Sequence, residues 1–408
     1  MSIWRNTRKY IAILAAASAS FLSIGTSGTL SAEIVIGNTS PYSGPASGYA
    51  TIGKALSAYF DMLNAQGGVG GRKIKFISYD DSYSPPKTVE QVRRLVESDQ
   101  VELVLGLLGT PPNASVQKYL NEKKIPQLFS VAASGRFNNP GKYPWTIGWL
   151  PTIVLEAKIF GKYILDTKPN AKIGILYQND DLGRDALEAL KSALGSRADQ
   201  MIVSVQKYEV ADPTIDSQIV SMKSAGVDVF YNAATTRFAA QAIKSAHAVG
   251  WKPLHLITSI SSSINTVLKP AGVDASKDII SAFYVKEPSD PQWIKDPAML
   301  EYRNWMKTYY SSGDPENLFN AIAYSVGQSF RAVLVACGDD FSRTNIMAKA
   351  SSLNDVELPM LLPGIKLKTS KTDYFPIQQL QLGRFDGEKW ALFGGVLQDE
   401  TEDVSNRE

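Results

Sequence analysis

The sequence predicts an α/β fold with two lobes, each built on a mostly parallel sheet that is flanked by helices. Short apolar runs alternate with amphipathic stretches along the chain, and turn residues mark most of the junctions. The chain has 408 residues, which exceeds the size at which a single hydrophobic core usually stops growing. Its 44% of hydrophobic residues is ordinary for a globular protein.

Four strands and three helices are predicted before residue 150. The strands are short apolar runs at 33–38, 73–80, 101–107 and 126–130. Apolar residues recur at helical spacing from Ile52 to a stop at Gly67. A second helix begins at Pro85 or Pro86, and a third covers about 112–122.

The same alternation continues to about residue 283 and then changes. Further strands are predicted at 172–177, 201–208, 227–232 and 254–258. Helices are predicted at about 152–166, 182–194, 214–225 and 236–249, and longer ones at 297–311 and 318–336. The tail contains two β segments, 375–384 and 389–396, around Asp386-Gly387, which is a hairpin signal.

Residues 1–32 are predicted to be a secretory signal peptide. Three basic residues between positions 5 and 9 precede an apolar stretch over 10–24, and small polar residues follow. We expect cleavage after Ala32 and a periplasmic mature protein. The apolar stretch is short for a membrane span, which argues against an uncleaved anchor.

Charge and cysteine content exclude several classes of function. The chain carries 42 basic and 40 acidic side chains, and without Arg5, Arg8 and Lys9 the counts are 39 and 40. Nucleic acid is not expected as a partner, because phosphate binding needs a surplus of Lys and Arg on one face. The single Cys337, interpreted as a buried thiol, excludes an intramolecular disulfide and a multi-thiolate metal site. No metal ion or cofactor is expected.

The sequence contains no recognisable catalytic constellation. Gly48–Lys54 matches the G-x-x-x-x-G-K pattern of phosphate-binding loops, but Ala55 stands where Ser or Thr coordinates magnesium, and the Gly-Lys pair is predicted to lie within a helix. His247 and His255 are interpreted as ordinary helix and strand residues. The nucleophile motif G-x-S-x-G does not occur. The chain is therefore not expected to be an enzyme.

A clamshell that closes on a small solute accounts better for these features. Hinge motion between two α/β lobes exposes and covers a cleft. Segments 106–112 and 130–135 follow buried strands and combine small residues with hydroxyl donors. Strand ends and helix N-termini meet at such an edge, where N–H groups and hydroxyls hold an anion. On residue types alone, ordinary Pro/Ser/Gly turns explain the two segments equally well.

Nearly the whole chain after residue 33 resembles a known family. The resemblance rests on Ser43-Gly44-Pro45, the stretch 64–71, Tyr79-Asp80-Asp81, and the loops that start at Gly106 and Ser130. The chain is similar to the type I periplasmic solute-binding proteins of branched-chain amino acid ABC transporters, typified by the leucine/isoleucine/valine-binding protein.

The resemblance implies two α/β lobes joined by three hinge crossings. Lobe 1 comprises 33–150 and 284–358, and lobe 2 comprises 151–283 and 359–408. It also implies a monomer that captures a small molecule and docks a membrane permease of an ABC transporter.

Carried over by position, the family's first-lobe contacts fall on four residues here. Thr110 replaces a Ser that hydrogen-bonds the ligand carboxylate, and Ala132 and Ser134 fall in a second loop that grips the same group. Tyr49 falls at the aromatic position that covers the ligand. The family's disulfide positions are occupied by Tyr83 and Gly109, so this chain is expected to fold without that cross-link.

The second-lobe positions include one informative departure from the family. Leu182 falls where many members have Tyr, and Thr235 falls in the loop after a strand. Amino acid binders of the family pair the ligand ammonium with a Glu after the next strand, whereas segment 258–263 here reads Thr-Ser-Ile-Ser-Ser-Ser and offers Ser259 instead. An unpaired ammonium in a desolvated cleft is strongly disfavoured. An α-amino acid is therefore not the expected ligand.

We expect a ligand with a carboxylate head and an apolar body, best an aromatic acid such as a benzoate or a phenylpropenoate. Aromatic side chains near the expected cleft offer stacking surfaces, namely Tyr49, Phe129, Phe137, Trp145 and Trp149. The alternatives are an amino acid binding protein, an amide or urea binding protein, a ligand sensor, and an exported hydrolase that uses carboxylates.

Overall fold

Two β-sheets form the framework of the structure. The computed structural model describes residues 33–398. The predicted signal peptide and residues 399–408 therefore lie outside the described part of the chain. Most strand pairs are parallel, as predicted, and the antiparallel pairs involve the last strands of the chain.

The first sheet is made from the N-terminal part of the described chain. Its strands are β1 (Ile34–Ser40), β2 (Ile74–Asp80), β3 (Leu103–Leu105), β4 (Gln127–Ser130) and β5 (Thr146–Gly148). Their order across the sheet is β2-β1-β3-β4-β5, and each pair is parallel.

The second sheet repeats this order and adds an antiparallel edge. Its strands are β6 (Ile173–Gln178), β7 (Ile202–Tyr208), β8 (Val229–Ala233), β9 (Leu254–Ile257), β10 (Ile280–Phe283), β11 (Gln379–Phe385) and β12 (Trp390–Gln398). The order is β12-β11-β10-β9-β8-β6-β7. Strands β11 and β12 form the hairpin that Asp386-Gly387 predicted.

Helices connect the strands and cover the sheets. The helices before residue 150 are α1 (Thr51–Ala65), α2 (Pro85–Glu97) and α3 (Thr110–Glu122). The next group is α4 (Ile153–Thr167), α5 (Asp181–Leu194), α6 (Ala198–Met201), α7 (Asp216–Ser224), α8 (Thr236–Ala248), α9 (Lys269–Ala271) and α10 (Val273–Ser276). The last helices are α11 (Pro297–Tyr309), α12 (Leu318–Cys337) and α13 (Arg343–Ala350). Within residues 33–398, we find no helix with the length and apolar character of a membrane span.

Apolar helix faces pack on both sides of the first sheet. Leu105 of β3 lies in one buried cluster with Leu56 of α1. The neighbouring Val104 lies in a second cluster with Val92 of α2 and Val116 of α3. Successive strand side chains point to opposite faces, so the two clusters cover the two faces of this sheet.

The helices that follow residue 284 pack against α1. The ring of Tyr59 makes edge-to-face contacts with Tyr324 of α12 at 5.4 Å and with Trp305 of α11 at 6.4 Å between centroids. Gly327 permits this approach, because a Cβ there would lie 2.4 Å from the Tyr59 ring. Segment 297–337 therefore contributes to the core beside the first sheet.

The predicted α/β fold with two sheets is confirmed. Every predicted strand and helix within residues 33–398 is present, with its ends shifted by a few residues. The elements that were not predicted are the strands β5 and β10 and the helices α6, α9, α10 and α13, because each is too short to display a clear period. The lobe boundaries and the three hinge crossings remain predictions.

Candidate functional site

The candidate site lies where the parallel strands of the two sheets end. The chain moves outward in opposite directions from β1 in the first sheet and from β6 in the second. Where the chain turns in opposite directions on the two sides of one strand, the loops that leave neighbouring strands diverge and open a crevice. Residues that follow β1, β3 and β4 line one cavity together with residues that follow β6, β8 and β9.

The cavity has a volume of about 140 Å³, which is enough for one small aromatic ring. For comparison, an engineered cavity of about 150 Å³ in another protein binds benzene. The walls are mainly apolar and aromatic and include Tyr49, Leu108, Ala132, Leu182, Phe238 and Phe319. A lining of this kind, with a few polar groups, is typical of small-molecule sites.

The charge of the wall is distinctive. Among the described residues that line the cavity, none is Asp or Glu, and Arg237 is the one basic residue. Its Nη2 donates to the carbonyl oxygens of Asp212 at 3.2 Å and Pro213 at 3.1 Å. The guanidinium carbon lies 4.8 Å from the centre of the Phe238 ring. The described lining therefore contains no carboxylate for a cation, and its one basic residue is exposed and donates to backbone carbonyl oxygens.

Thr110 provides an unused polar group in the wall. It is the first residue of α3, it is 2% exposed, and it lines the cavity. Its Oγ1 is buried and has no hydrogen-bond partner within the described protein. The helix starts at Gly109 without a side-chain cap, so the partial positive charge of its N-terminus is also available. Leaving a buried hydroxyl unpaired costs about 1–3 kcal/mol, which a ligand acceptor would recover.

Tyr49 spans the cavity. Its hydroxyl accepts hydrogen bonds from the N–H and from Oγ1 of Thr236, each at 3.1 Å. Its ring contacts Phe319 edge to face, with 4.7 Å between centroids. Burial raises the pKa of Tyr49 above its usual value, so the hydroxyl stays neutral. Tyr49 precedes α1 and Thr236 opens α8, so these bonds join the two sides of the site.

Thr235 lines the same wall, but its polar groups are already paired. Its N–H donates to the hydroxyl of Tyr208 at 2.8 Å, and its Oγ1 lies 3.0 Å from the same oxygen. The Tyr208 ring in turn packs on Phe238, with 4.1 Å between centroids. Thr235 therefore shapes the cavity and leaves Thr110 as the free hydroxyl.

Two carboxylates on the first turns of α5 bridge to the loop after β4. Oδ2 of Asp185 accepts from Ser134 Oγ at 2.5 Å and from the N–H of Gly135 at 2.9 Å. Arg136 forms an ion pair with Asp181. Burial raises the pKa of Asp185, whereas at Asp181 hydrogen bonds from two arginines outweigh burial and lower the pKa. These contacts hold the two sides together beside the cavity.

The Ser-rich segment after β9 makes internal contacts. The N–H of Ser259 donates to Glu156 Oε2 at 2.7 Å, and Ser261 Oγ donates to the carbonyl oxygen of Ala234 at 2.7 Å. Burial raises the pKa of Glu156, which is 1% exposed and does not line the cavity. Ile260 is the member of the segment that does line it. Glu156 thus anchors this segment from behind.

The arrangement matches a known family over most of the chain. Residues 33–389 match the family model described as periplasmic binding protein. The chain belongs to this family. The predicted resemblance to leucine/isoleucine/valine-binding proteins is confirmed, and the family consists of solute-binding proteins and not of enzymes, in agreement with the prediction. Membership also supports a periplasmic location.

Curated relatives of this periplasmic binding protein are distant in sequence. The Leu/Ile/Val-binding protein homolog 7 of Brucella suis is 24% identical over 266 residues, which are 62% of this chain and 64% of the relative. The Leu/Ile/Val-binding protein of Escherichia coli is 22% identical over 244 residues, covering 56% of this chain and 65% of the relative. The alignments thus span somewhat less than two thirds of either relative.

Solved structures share the fold at low sequence identity. A branched-chain amino acid ABC transporter protein from Thermus thermophilus with bound valine has a TM-score of 0.78 at 16% identity, covering 91% of this chain and 97% of the other. An ABC transporter solute binding protein from R. palustris in complex with benzoate has a TM-score of 0.72 at 20% identity, covering 90% and 98%.

Five of the seven predicted site residues of the periplasmic binding protein lie at the cavity, within the described chain. These are Tyr49, Thr110, Ala132, Leu182 and Thr235. Ser134 and Ser259 do not line it. Ser134 is turned to Asp185, and the backbone of Ser259 is turned to Glu156. They lie behind the wall in this structure, and their contact with a ligand remains a prediction.

Most of the aromatic residues expected at the cleft lie elsewhere. Phe129, Phe137, Trp145 and Trp149 do not line the cavity. Trp149 is fully buried and donates from Nε1 to Ser329 Oγ at 2.8 Å. The aromatic wall beyond Tyr49 is formed by residues that sequence reasoning did not assign to it, namely Tyr83, Phe238 and Phe319. Tyr83 and Phe238 follow strand ends, which is a usable signal, but Phe319 on α12 has no local signal.

The remaining candidate groups have structural roles. His255 is buried, its Nε2 lies 3.2 Å from Asn232 Nδ2, and burial lowers its pKa to about 3. Cys337 is a buried free thiol, as predicted, and burial raises its pKa to about 11. Gly53 and Lys54 lie within α1, as predicted. In the described residues we find no group of three or more His, Cys, Asp or Glu that could hold a metal ion.

Proposed function

We propose that this periplasmic binding protein captures a small carboxylate that lacks an amine, best an aromatic acid of the size of benzoate, and delivers it to the permease of an ABC importer. The observation that carries the proposal is the buried, unpaired Oγ1 of Thr110 in a wall without carboxylates. A hydroxyl at a helix N-terminus donates to an anionic oxygen, and the apolar wall receives the ring.

The solved neighbours alone do not choose the ligand. They include complexes with valine, isoleucine and benzoate and a substrate-binding protein of a fatty acid ABC transporter, so the fold serves ligands with and without an amine. The cavity lining of this chain favours ligands without an amine, because a buried ammonium group needs a partner of opposite charge. Among the described residues that line the cavity, Arg237 is the one with a charged side chain, and its positive charge favours an anionic ligand.

Closure of two lobes is part of the proposal. We take lobe 1 as 33–150 with 284–358, lobe 2 as 151–283 with 359–408, and three crossings as the hinge. The bonds between Tyr49 and Thr236, and between Ser134 and Asp185, support a closed form. Closure removes water from the head group and so strengthens its hydrogen bonds. The closed protein, as a monomer, then docks the permease.

A thermal-shift screen of the mature protein tests the proposal. The panel contains benzoate, phenylpropenoates, short fatty acids, branched-chain amino acids, amides and urea. A ligand that binds the folded state raises the melting temperature, so shifts are expected for acids without an amine. Shifts confined to amino acids, amides or urea contradict the proposal. Conversion of the stabilising compound during incubation would identify a hydrolase instead.

A further inference from the structure

Tyr83 is a cavity residue that the ligand contacts proposed above do not use. It follows β2, lines the cavity, and lies beside Gly109 and Thr110 at the start of α3. Burial raises the pKa of Tyr83, and the side chain of Gln178, the last residue of β6, lies close enough to the hydroxyl to oppose this shift. The side chain therefore extends from the first-sheet side of the cavity to the second-sheet side.

The backbone of Tyr83 is held in an uncommon conformation. Ser82 and Tyr83 have φ values of 51° and 59°, in the left-handed region that non-glycine residues seldom adopt. Such conformations persist only where the surroundings fix them, and they cluster at ligand clamps and active sites. The unfavourable backbone conformation of Ser82 and Tyr83 therefore determines the direction of the Tyr83 ring.

A buried carboxylate fixes the turn. Asp81 is fully buried, and its Oδ1 accepts from the N–H of Tyr83 at 2.9 Å. Its Oδ2 accepts from Thr39 at 2.8 Å and Thr88 at 3.2 Å, and its carbonyl oxygen accepts from the N–H of Ser84 at 2.8 Å. The carboxylate thus binds residues of β1 and α2 and holds the backbone of Tyr83, which restricts the movement of the Tyr83 ring.

The ring also requires the residue opposite it to be glycine. A Cβ at position 109 would lie 2.3 Å from Cε2 and 2.8 Å from the hydroxyl oxygen of Tyr83. Gly109 has a φ of 86°, which glycine adopts at little cost. Any larger residue would drive the ring into the cavity or out of its place. Tyr83 and Gly109 therefore form one packing unit in the wall.

From this geometry we infer that Tyr83 is the size-determining residue of the site, whose ring closes the space beyond Gly109 and restricts the ligand to a short apolar body. The inference rests on the proposed function for the identity of the head group. In this inference the ring of Tyr83 limits the length of the apolar part of the ligand, whereas Thr110 recognises the carboxylate.

The test compares benzoate with 3-phenylpropenoate, whose ring lies two carbons further from the carboxylate. The ratio of the two Kd values is measured by calorimetry for the wild-type protein and for Tyr83→Ala and Tyr83→Leu. We expect the wild type to prefer benzoate at least 10-fold and both variants to shift the ratio at least 10-fold toward the longer acid. Tyr83→Phe keeps the ring and is expected to keep the ratio. Tyr163→Ala removes a half-buried Tyr outside the cavity and serves as the matched control.

A parallel series with toluene and n-butylbenzene separates this inference from the proposed function. If Tyr83→Ala binds n-butylbenzene more tightly relative to toluene than the wild type does, the size limit is supported. If in addition no variant and no wild-type protein binds any acid, only the carboxylate proposal is overturned. Ratios within 2-fold of the wild-type value in both the Ala and Leu variants, in both series, overturn the inference. A Tyr83→Ala variant that does not fold leaves Tyr83→Leu to decide.

Discussion

The hydroxyl of Thr110 is the group on which recognition of the ligand head depends at the scale of single residues. Its Oγ1 has no hydrogen-bond partner within the described chain, so removing it takes away no internal hydrogen bond. Replacement of an unpaired buried hydroxyl by a methyl group is nearly neutral or stabilising. A binding role and a structural role therefore predict different results at this position.

Thr110→Val is expected to weaken benzoate binding about 10- to 100-fold while leaving the melting temperature of the free protein unchanged or slightly raised. Calorimetry and thermal unfolding measure the two effects. Thr146→Val is the control, because its buried Oγ1 donates to Gln127 at 3.0 Å and accepts from Asn121 at 2.8 Å. The control should lose stability and keep its affinity. Unchanged affinity in Thr110→Val would falsify the assigned role.

Glu287 predicts a pH dependence of stability. It is 2% exposed, its Oε2 has no hydrogen-bond partner, and its Oε1 accepts from Ser289 Oγ at 2.6 Å. Burial, with a smaller contribution from Asp290, raises its pKa from the usual 4.5 to about 8. The folded state therefore binds this proton more tightly than the unfolded state, and the free energy of unfolding falls as the pH rises through this window.

Glu287→Gln should remove that dependence. The stability of the variant relative to the wild type is expected to rise by about 2–5 kcal/mol between pH 5 and pH 8, because each pKa unit corresponds to about 1.4 kcal/mol. Denaturant unfolding at several pH values measures it. Glu90→Gln, an exposed site on α2, is the control and should follow the wild-type profile. A relative stability that does not change with pH contradicts the prediction.

The first turns of α5 and the loop after β4 act together at the scale of elements. Asp185 receives two hydrogen bonds from that loop and lies outside the cavity wall. Its loss should therefore disfavour the closed form and weaken every ligand by a common factor, since the affinity scales with the population of the competent state.

Asp185→Ala is expected to weaken binding about 10-fold for all bound acids alike, as two hydrogen bonds are lost. Titrations with at least two acids measure this. The exposed Asp199→Ala on α6 should bind as the wild type does. Equal affinity of Asp185→Ala and wild type, or a change for one acid only, is incompatible with a closing contact.

The elements themselves show how far the sequence alone can lead. Helices such as α1 carry a clear apolar period, and buried strands such as β8 are bounded by turn residues, so both were predictable. That the segment with Thr110 borders a crevice was predictable, because this segment follows a buried strand. The orientation of Ser134 toward Asp185 and the position of Phe319 in the wall were not predictable, because the direction of a loop side chain and the docking of a distant helix depend on tertiary packing.

The whole molecule brings the ends of the parallel strands of two sheets together around one apolar cavity. Each sheet has the order that opens a crevice beside its first strand, and the hydrogen bonds of Tyr49 and Asp185 hold the facing sides together. Tyr83 and Gly109 pack against each other in the wall. The absence of carboxylates among the described lining residues underlies the proposed preference for an acid without an amine.

Calorimetric titration with leucine and with 4-methylpentanoate tests this account most directly, because the two compounds differ only in the α-amino group. Benzoate is titrated alongside as the preferred ring-sized acid. We predict that benzoate binds, and that 4-methylpentanoate binds at least about 100-fold more tightly than leucine, since the ammonium of leucine would be buried without a partner. Tighter binding of leucine than of 4-methylpentanoate would contradict it and would require a carboxylate to enter the site.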